Sequence, residues 1–139
     1  MFRVLDADSP ISKEDFLQFE EILGKKLPKT MLDFYLKHNG GQPQVMGVHD
    51  EHHLFPFNSF NSLEEMKKSL TWFDDEVVPE GFKGTDLLHF AYDPGSGNYA
   101  LSLRAEDYGK VYFYVLEEKA ELYGQWPSFE DFLNSFVEE

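Results

Sequence analysis

The stretch that most constrains the fold is residues 87–103, "LLHFAYDPGSGNYALSL", which predicts a β-hairpin. Two apolar runs flank residues 93–98, "DPGSGN", a cluster of turn-forming residues. Residues 99–103 alternate between larger apolar and smaller side chains, as a half-buried strand requires. The turn has some likeness to a phosphate-binding loop. It lacks the Lys and Ser/Thr of a P-loop, however, and no helix follows it, so we interpret it as a hairpin turn.

Four helices are predicted around this hairpin, from capping residues and from apolar side chains at helical spacing. In the first, Ser12 suits an N-cap with Asp15 three residues on, and Phe16 and Phe19 share a face. The four helical segments are residues 12–24, 27–41, 61–73 and 127–139. The apolar stripe of the last one is Phe129, Phe132, Leu133 and Phe136.

Short apolar segments between turn signals predict the remaining strands, at residues 44–49, 54–60 and 110–117. Pro56 limits the second of these to an edge strand or a bulge. The order of elements is two helices, strands, a helix, the hairpin, a strand and a helix. This order predicts an α+β fold in which helices cover an antiparallel or mixed β-sheet.

The length of 139 residues indicates one domain, residues 1–139. The N-terminal residues "MFRVLDADSP" carry acids where a signal peptide needs an apolar stretch, and the chain has no apolar run near twenty residues. With no cysteine, the chain has no disulfide, thiol nucleophile or Cys-type zinc site. We therefore expect a cytoplasmic protein.

The net charge of -14, from 26 acidic and 12 basic residues, bears on the class of partner. Such a field repels nucleic-acid phosphates and anionic membranes, so neither is expected as a partner. It attracts a basic protein and speeds the encounter. The alternative reading is that the acidity only keeps the protein soluble.

The stretch that most resembles a chemical site is residues 47–57, "GVHDEHHLFPF", with His49, His52 and His53 beside Asp50 and Glu51. Gly and β-branched residues before it and a proline after it disfavour a helix, and the order of the helical zinc motifs is missing. On an extended chain two histidines and one carboxylate would share a face, which can bind a metal. We interpret the stretch as a polar tip between two strands that contacts a partner, with a metal site as the alternative.

No other pattern predicts catalysis, since the chain has neither a Gly-x-Ser-x-Gly elbow nor an EF-hand loop. We therefore expect no enzyme, no metal and no cofactor. Tyrosine and tryptophan beside acids are typical of protein interfaces, although these rings also suit a core. The predicted partner-binding residues are Trp72, Asp74, Asp75, Glu76, Tyr112, Tyr114, Glu117 and Glu118, together with His49 and His52 of the tip.

Several segments resemble the SUKH superfamily, the Smi/Knr-type domains. The signature "FEEILGKKLPKTMLDFYLKHNGG" pairs Phe19-Glu20 with Leu27-Pro28 and ends in Asn39-Gly40-Gly41. The hairpin followed by "GKVYFY" and the closing "SFEDFLNSF" are similar to later parts of the family pattern. The likeness runs in the right order over about residues 11–137. It implies the SUKH (Smi/Knr-like) α+β fold, a sheet wrapped by helices.

The resemblance also implies a non-enzymatic binding role. Bacterial single-domain members look like immunity proteins, which neutralise polymorphic toxins, often nucleases; fungal relatives act in cell-wall and stress signalling and carry long disordered flanks. We expect an immunity protein that binds a basic protein toxin, possibly a nuclease domain, as a monomer or weak homodimer. The alternatives are a regulatory interaction module for an endogenous protein, and a metal-dependent enzyme using His49, His52 and His53.

Overall fold

A computed structural model describes residues 2–138 of the chain. The helices are α1 (Lys13–Leu23), α2 (Lys29–Lys37), α3 (Leu63–Ser69) and α4 (Phe129–Leu133). The strands are β1 (Val4–Leu5), β2 (Gln42–Pro43), β3 (Val45–His49), β4 (Leu54–Phe55), β5 (Ser59–Phe60), β6 (Leu87–Tyr92), β7 (Gly97–Ser102), β8 (Val111–Leu116), β9 (Ala120–Trp126) and β10 (Phe136–Glu138). Within this part of the chain, no helix is long and apolar enough to cross a membrane.

The predicted hairpin forms the centre of a five-stranded antiparallel sheet in the order β5-β6-β7-β8-β9. The Asp93 side chain accepts hydrogen bonds from the backbone N–H groups of Gly95 and Gly97 and closes the turn. A Cβ at Gly97 would lie 2.5 Å from atoms of Asp93 and Phe113, so the position has no room for a side chain. The hairpin interpretation of "DPGSGN" is therefore confirmed.

Strand β7 is covered on both faces, whereas its alternation predicts a half-buried strand. Tyr99 and Leu101 lie in the main core, which the helices cover, and Ala100 lies in a second, smaller cluster on the opposite face. The smaller cluster consists of Val78, Leu87, Ala100, Tyr112 and Tyr114, with Phe73, Phe82, Leu116 and Ala120 packed against it. The sheet is therefore wrapped by helices on its inner face and by residues 70–86 on its outer face.

The starts of α1 and α3 follow the predicted caps, whereas α2 ends at Lys37 and α4 at Leu133, before the predicted residues 41 and 139. Ser12 and Asp15 form a complete capping box, and Gly24 ends α1 with φ 71°. Ser62 caps α3 in the same way, with Glu65 as its partner. Helix α3 ends at Ser69, earlier than the predicted residue 73, because the following residues turn across the outer face of the sheet.

Several strands differ from the prediction. Strands β1 and β2 form a small separate sheet that was not predicted, and the predicted strand 54–60 is divided into β4 and β5, which belong to different sheets. Strand β9 lies in a segment that shows no clear alternation, and it pairs with β8 at the edge of the sheet. Phe136 is part of β10 instead of the last helix, because residues 136–138 pair with β3 in a three-stranded sheet of order β10-β3-β4. The Phe55 ring of β4 packs over Gly124, where a Cβ would approach it to 2.6 Å, so this small sheet rests on β9.

Candidate partner-binding surface

The segment from Leu70 to Asp86 is held onto the outer face of the sheet by aromatic side chains. The Phe73 ring stacks on His89 of β6 with ring centroids 3.5 Å apart and an interplanar angle of 6°. Phe82 meets Tyr112 of β8 edge to face at 5.2 Å. The segment has no regular structure apart from one 3-10 turn at Gly84–Asp86, and long connections of this kind in compact domains are commonly functional. We call residues 70–86 the covering loop.

The covering loop presents Trp72 and three acids to solvent. Trp72 is 67% exposed, and Asp74, Asp75 and Glu76 are exposed as well. Asp74 accepts a hydrogen bond from the Glu76 backbone N–H at 2.9 Å, and Asp75 accepts one from the Gly84 N–H at 2.7 Å. Two of the predicted acids therefore also fix the shape of the loop that carries them.

Arg104 fastens the far end of the covering loop. Its guanidinium lies 3.9 Å above the Phe82 ring, donates to the Gly81 carbonyl oxygen, and pairs with Asp107. Burial alone would raise the pKa of Asp107, but hydrogen bonds from Arg104, Ser102 and Tyr112 outweigh it and hold that pKa well below its usual range. An ionised, fully bonded Asp107 therefore orients Arg104 toward the loop.

The structure does not support Tyr112 and Tyr114 as partner-contacting residues. Tyr114 is fully buried and Tyr112 is 7% exposed, because the covering loop hides the face of β8 on which they stand. The Tyr112 hydroxyl donates to Asp107, and burial, followed by that contact, raises the pKa of Tyr112 to about 12. A side chain with almost no exposed surface has none to offer a partner, so both rings act as core residues.

His89 is buried beside the smaller cluster on the outer face of the sheet, in contact with Tyr114. It is 3% exposed, and its Nε2 lies 2.6 Å from the Tyr114 hydroxyl oxygen. Burial lowers the pKa of His89 to about 3. The imidazole is therefore neutral at physiological pH and packs as an aromatic ring between Phe73 and Tyr114.

A second acidic feature is the turn between β8 and β9, which we call the hairpin tip (residues 117–119). The predicted partner-binding residues Glu117 and Glu118 are exposed there, and Glu121 and Tyr123 follow on β9. The Tyr123 hydroxyl lies 3.3 Å from the Glu121 carboxylate, and that charge is the largest cause raising the pKa of Tyr123. Leu116 and Ala120, on either side of the turn, belong to the cluster beneath the covering loop. The two acidic segments are therefore anchored to the same outer face.

The histidine-rich stretch lies elsewhere, in the turn between β3 and β4. Its structural centre is Asp50, whose carboxylate accepts hydrogen bonds from the backbone N–H groups of His52 and His53, both at 2.9 Å, and of Gln125 at 3.4 Å. Burial alone would raise the pKa of Asp50, but these bonds lower it overall. The Trp126 indole also donates to the His49 carbonyl oxygen at 3.0 Å. The turn therefore caps the open edge of β9.

The histidine side chains themselves remain on the surface. His49, His52 and His53 are exposed, and across residues 2–138 no three His, Cys, Asp or Glu side chains are arranged to hold a metal ion. The turn sits at the C-terminal end of β9, while the hairpin tip sits at its N-terminal end. The structure therefore divides the predicted residues into two regions, with His49 and His52 apart from the acids.

Sequence reasoning missed Arg104 and Asp107. It singled out Asp50, in the histidine-rich stretch, and Tyr123, as a ring beside acids, but not their structural roles. Arg104, Asp107 and Asp50 carry no motif, because their hydrogen bonds reach partners that only the fold brings close. Tyr123 stands in a strand interrupted by a bulge, since the register between β8 and β9 shifts at this point. The one available signal was the Arg104-x-x-Asp107 spacing beside a turn.

The fold and surface define a class of protein: a small α+β domain whose antiparallel sheet is wrapped by helices and whose most distinctive exposed groups are acids beside aromatic rings. The chain belongs to the SMI1 / KNR4 family (SUKH-1), whose model matches residues 10–135. Membership is compatible with a non-catalytic, immunity-type domain. A comparison with curated proteins gives no match.

Proposed function

We propose that this protein is an immunity protein that binds a basic toxin domain and blocks its activity. The observation that carries the proposal is the 67% exposure of Trp72 next to three carboxylates, on a loop whose neighbouring residue Phe73 packs against the sheet. Tryptophan is among the residues that contribute most to binding energy at interfaces, and its large exposed area is otherwise unfavourable in water. Acids around it steer a cationic partner toward the ring.

The proposed surface consists of Trp72, Asp74, Asp75 and Glu76 on the covering loop and Glu117 and Glu118 on the hairpin tip. The net charge of -14 extends the same field over the whole molecule. A nuclease toxin is a suitable partner, because its own substrate is a polyanion and its cleft is therefore positively charged. His49 and His52 lie at the other end of β9 and form a peripheral contact in this proposal.

The experiment starts with affinity capture of partners from an extract of the native host, with elution at rising salt concentration. The captured protein is then expressed alone and together with this protein, and cell growth is measured. The proposal predicts a basic protein that arrests growth alone and is harmless in the co-expressed pair. Capture of an endogenous housekeeping protein that is not toxic would contradict it and favour the regulatory interaction module.

Matched variants distinguish a contribution of the proposed surface from an effect of net charge alone. Glu117→Lys with Glu118→Lys reverses two charges at the hairpin tip, whereas Asp8→Lys with Glu14→Lys makes the same net change at exposed positions before and at the start of α1. We expect the first pair, and Trp72→Ala, to lose protection from the toxin, and the second pair to keep it. Equal loss in both charge pairs would mean that only net charge matters.

A further inference from the structure

A cavity of about 170 Å³ opens beside the covering loop, where α1, α3 and the sheet meet. Its walls combine the apolar side chains of Ile22, Leu70, Phe73, Leu87 and Leu103 with the polar residues Ser69, Thr85 and His89. An engineered, wholly apolar cavity of ~150 Å³ in another protein holds a benzene molecule. The cavity is therefore the size of one large apolar side chain.

The buried residue His89 forms part of the cavity wall. His89 is 3% exposed, and its only side-chain hydrogen bond among the described residues joins Nε2 to the Tyr114 hydroxyl. A few polar groups among apolar side chains are typical of ligand-binding pockets.

The rim of the cavity is exposed and apolar. Ile22 is 61% exposed at the end of α1, and Leu70 is 36% exposed at the end of α3. Water around such a rim is displaced when a partner covers it, and interface anchors are commonly apolar side chains that fill a pocket of this kind.

The cavity is continuous with the acidic surface, because Phe73 lines it and directly follows Trp72. The Asp75 carboxylate lies at the cavity wall, because it accepts a hydrogen bond from the backbone N–H of Gly84, which lines the cavity. A partner side chain that enters the cavity would therefore have this carboxylate beside it. This arrangement suits an apolar residue with lysine or arginine neighbours, as on a basic protein.

We infer that this cavity is an anchor pocket that receives one large apolar side chain, aromatic or branched aliphatic, from the basic protein partner. The inference rests on the proposed function and adds the site at which the partner is anchored. The acids steer the encounter, and the pocket slows dissociation. His89 acts as a positioning residue, holding Phe73 in place at the wall through ring stacking.

The first test probes the pocket without a partner. Toluene and p-cresol, the side-chain analogues of Phe and Tyr, are titrated into protein with labelled Ile and Leu methyl groups, with n-butylamine as the control. The inference predicts saturable shifts of the Ile22, Leu87 and Leu103 methyl resonances with the aromatic probes and none with butylamine. If toluene near its solubility limit moves none of these methyl signals, the pocket is closed and the inference is wrong.

The second test uses a matched pair of variants on α1. Ile22 lines the cavity, whereas Leu17 is also exposed, at 43%, but is not part of the wall. Both Ile22→Asp and Leu17→Asp add one negative charge. We expect Ile22→Asp to weaken binding of toluene and of the captured basic partner roughly tenfold or more, and Leu17→Asp to change neither.

The outcomes distinguish this inference from the proposed function. If the basic partner binds wild type and Ile22→Asp equally and is still neutralised, the anchor pocket is wrong and the proposed function stands. If toluene binds the pocket but no toxic basic partner exists, the proposed function fails and the assigned occupant fails with it. If Leu17→Asp weakens the partner as much as Ile22→Asp, added charge explains the effect and the pocket does not.

Discussion

At the scale of single residues, the histidine-rich turn shows how an apparent chemical site is organised by its acid. Asp50 accepts three backbone hydrogen bonds, two within the turn and one from Gln125 on β9. It thereby satisfies an N–H group at the edge of the sheet, where an unpaired strand is open to association. The exposed imidazoles are displayed by this arrangement and take little part in it.

Replacement of Asp50 by alanine is expected to destabilise the protein by about 1–2 kcal/mol, because three N–H groups lose a charged acceptor. Glu51→Ala is the matched control, since Glu51 is exposed and its carboxylate lies 4.0 Å from the exposed ring of His52. Urea denaturation measures both variants. Equal free energies of unfolding for Asp50→Ala and Glu51→Ala would show that the turn does not depend on Asp50.

His89 makes stability depend on pH in a defined direction. Its folded-state pKa is lowered to about 3 by burial, while the unfolded chain protonates near pH 6.5. Between these two pKa values, the unfolded state binds a proton that the folded state does not. The free energy of unfolding therefore decreases as pH falls below 6.5. The limiting slope is about 1.4 kcal/mol per pH unit from this one group.

Comparison with His89→Gln tests this effect. The variant is less stable at pH 7, because it loses the stacking on Phe73. Glutamine does not titrate, so only wild type loses stability through this position as pH falls. The difference in free energy of unfolding between wild type and variant should therefore narrow by about 2 kcal/mol from pH 7 to pH 5. Urea denaturation at the two pH values gives the gap. A gap that stays constant would mean that His89 is not neutral in the folded protein.

At the scale of elements, the structure agrees with the sequence wherever the signal is local. The capping box of Ser12 and Asp15 and the left-handed Gly24 fix α1 through groups a few residues apart. The central hairpin is equally local, since its turn is closed by Asp93 from within. These elements could be predicted because the groups that form them are neighbours in the chain.

Strands β9 and β10 could not be predicted, for two different reasons. Strand β9 follows β8 directly through a short turn but lacks a regular alternation, whereas the partner of β10 lies far away in sequence. The alternation in β9 is broken by the bulge near Tyr123, and its inner face is Gly124 under the Phe55 ring. Phe136 fits the helical spacing of the preceding aromatics, but pairing with β3 overrides that pattern. The same limit applies to the surface, because the burial of Tyr112 and Tyr114 depends on a loop some thirty residues earlier in the chain.

The turn between β6 and β7 offers a prediction from two nearby glycines, Gly95 and Gly97. A Cβ at Gly97 would meet Asp93 and Phe113 at 2.5 Å, whereas a Cβ at Gly95 would meet nothing closer than 3.7 Å. Gly97→Ala should therefore cost about 1–3 kcal/mol through overpacking, and Gly95→Ala should stay within about 0.5 kcal/mol of wild type. Thermal unfolding of the two variants gives the comparison; a reversed order would contradict the packing around the turn.

At the scale of the whole molecule, the two faces of the sheet have different roles in this account. The inner face carries the main aromatic core beneath the helices, and the outer face carries a small cluster that positions the covering loop and the hairpin tip. Stability thus depends chiefly on one side, while exposed acids and Trp72 are displayed on the other. This division lets surface residues change while the core stays intact.

The central claim is that the acidic outer face steers a basic toxin domain into a neutralised complex. The most direct test is the association rate of the captured partner, measured by stopped-flow at low and high salt for wild type, Glu117→Lys/Glu118→Lys and Asp8→Lys/Glu14→Lys. The account predicts a rate that falls roughly tenfold or more with salt, and a slower rate at low salt for the hairpin-tip variant than for its control. A rate that is independent of salt, or the same in both charge-reversal variants, would contradict it.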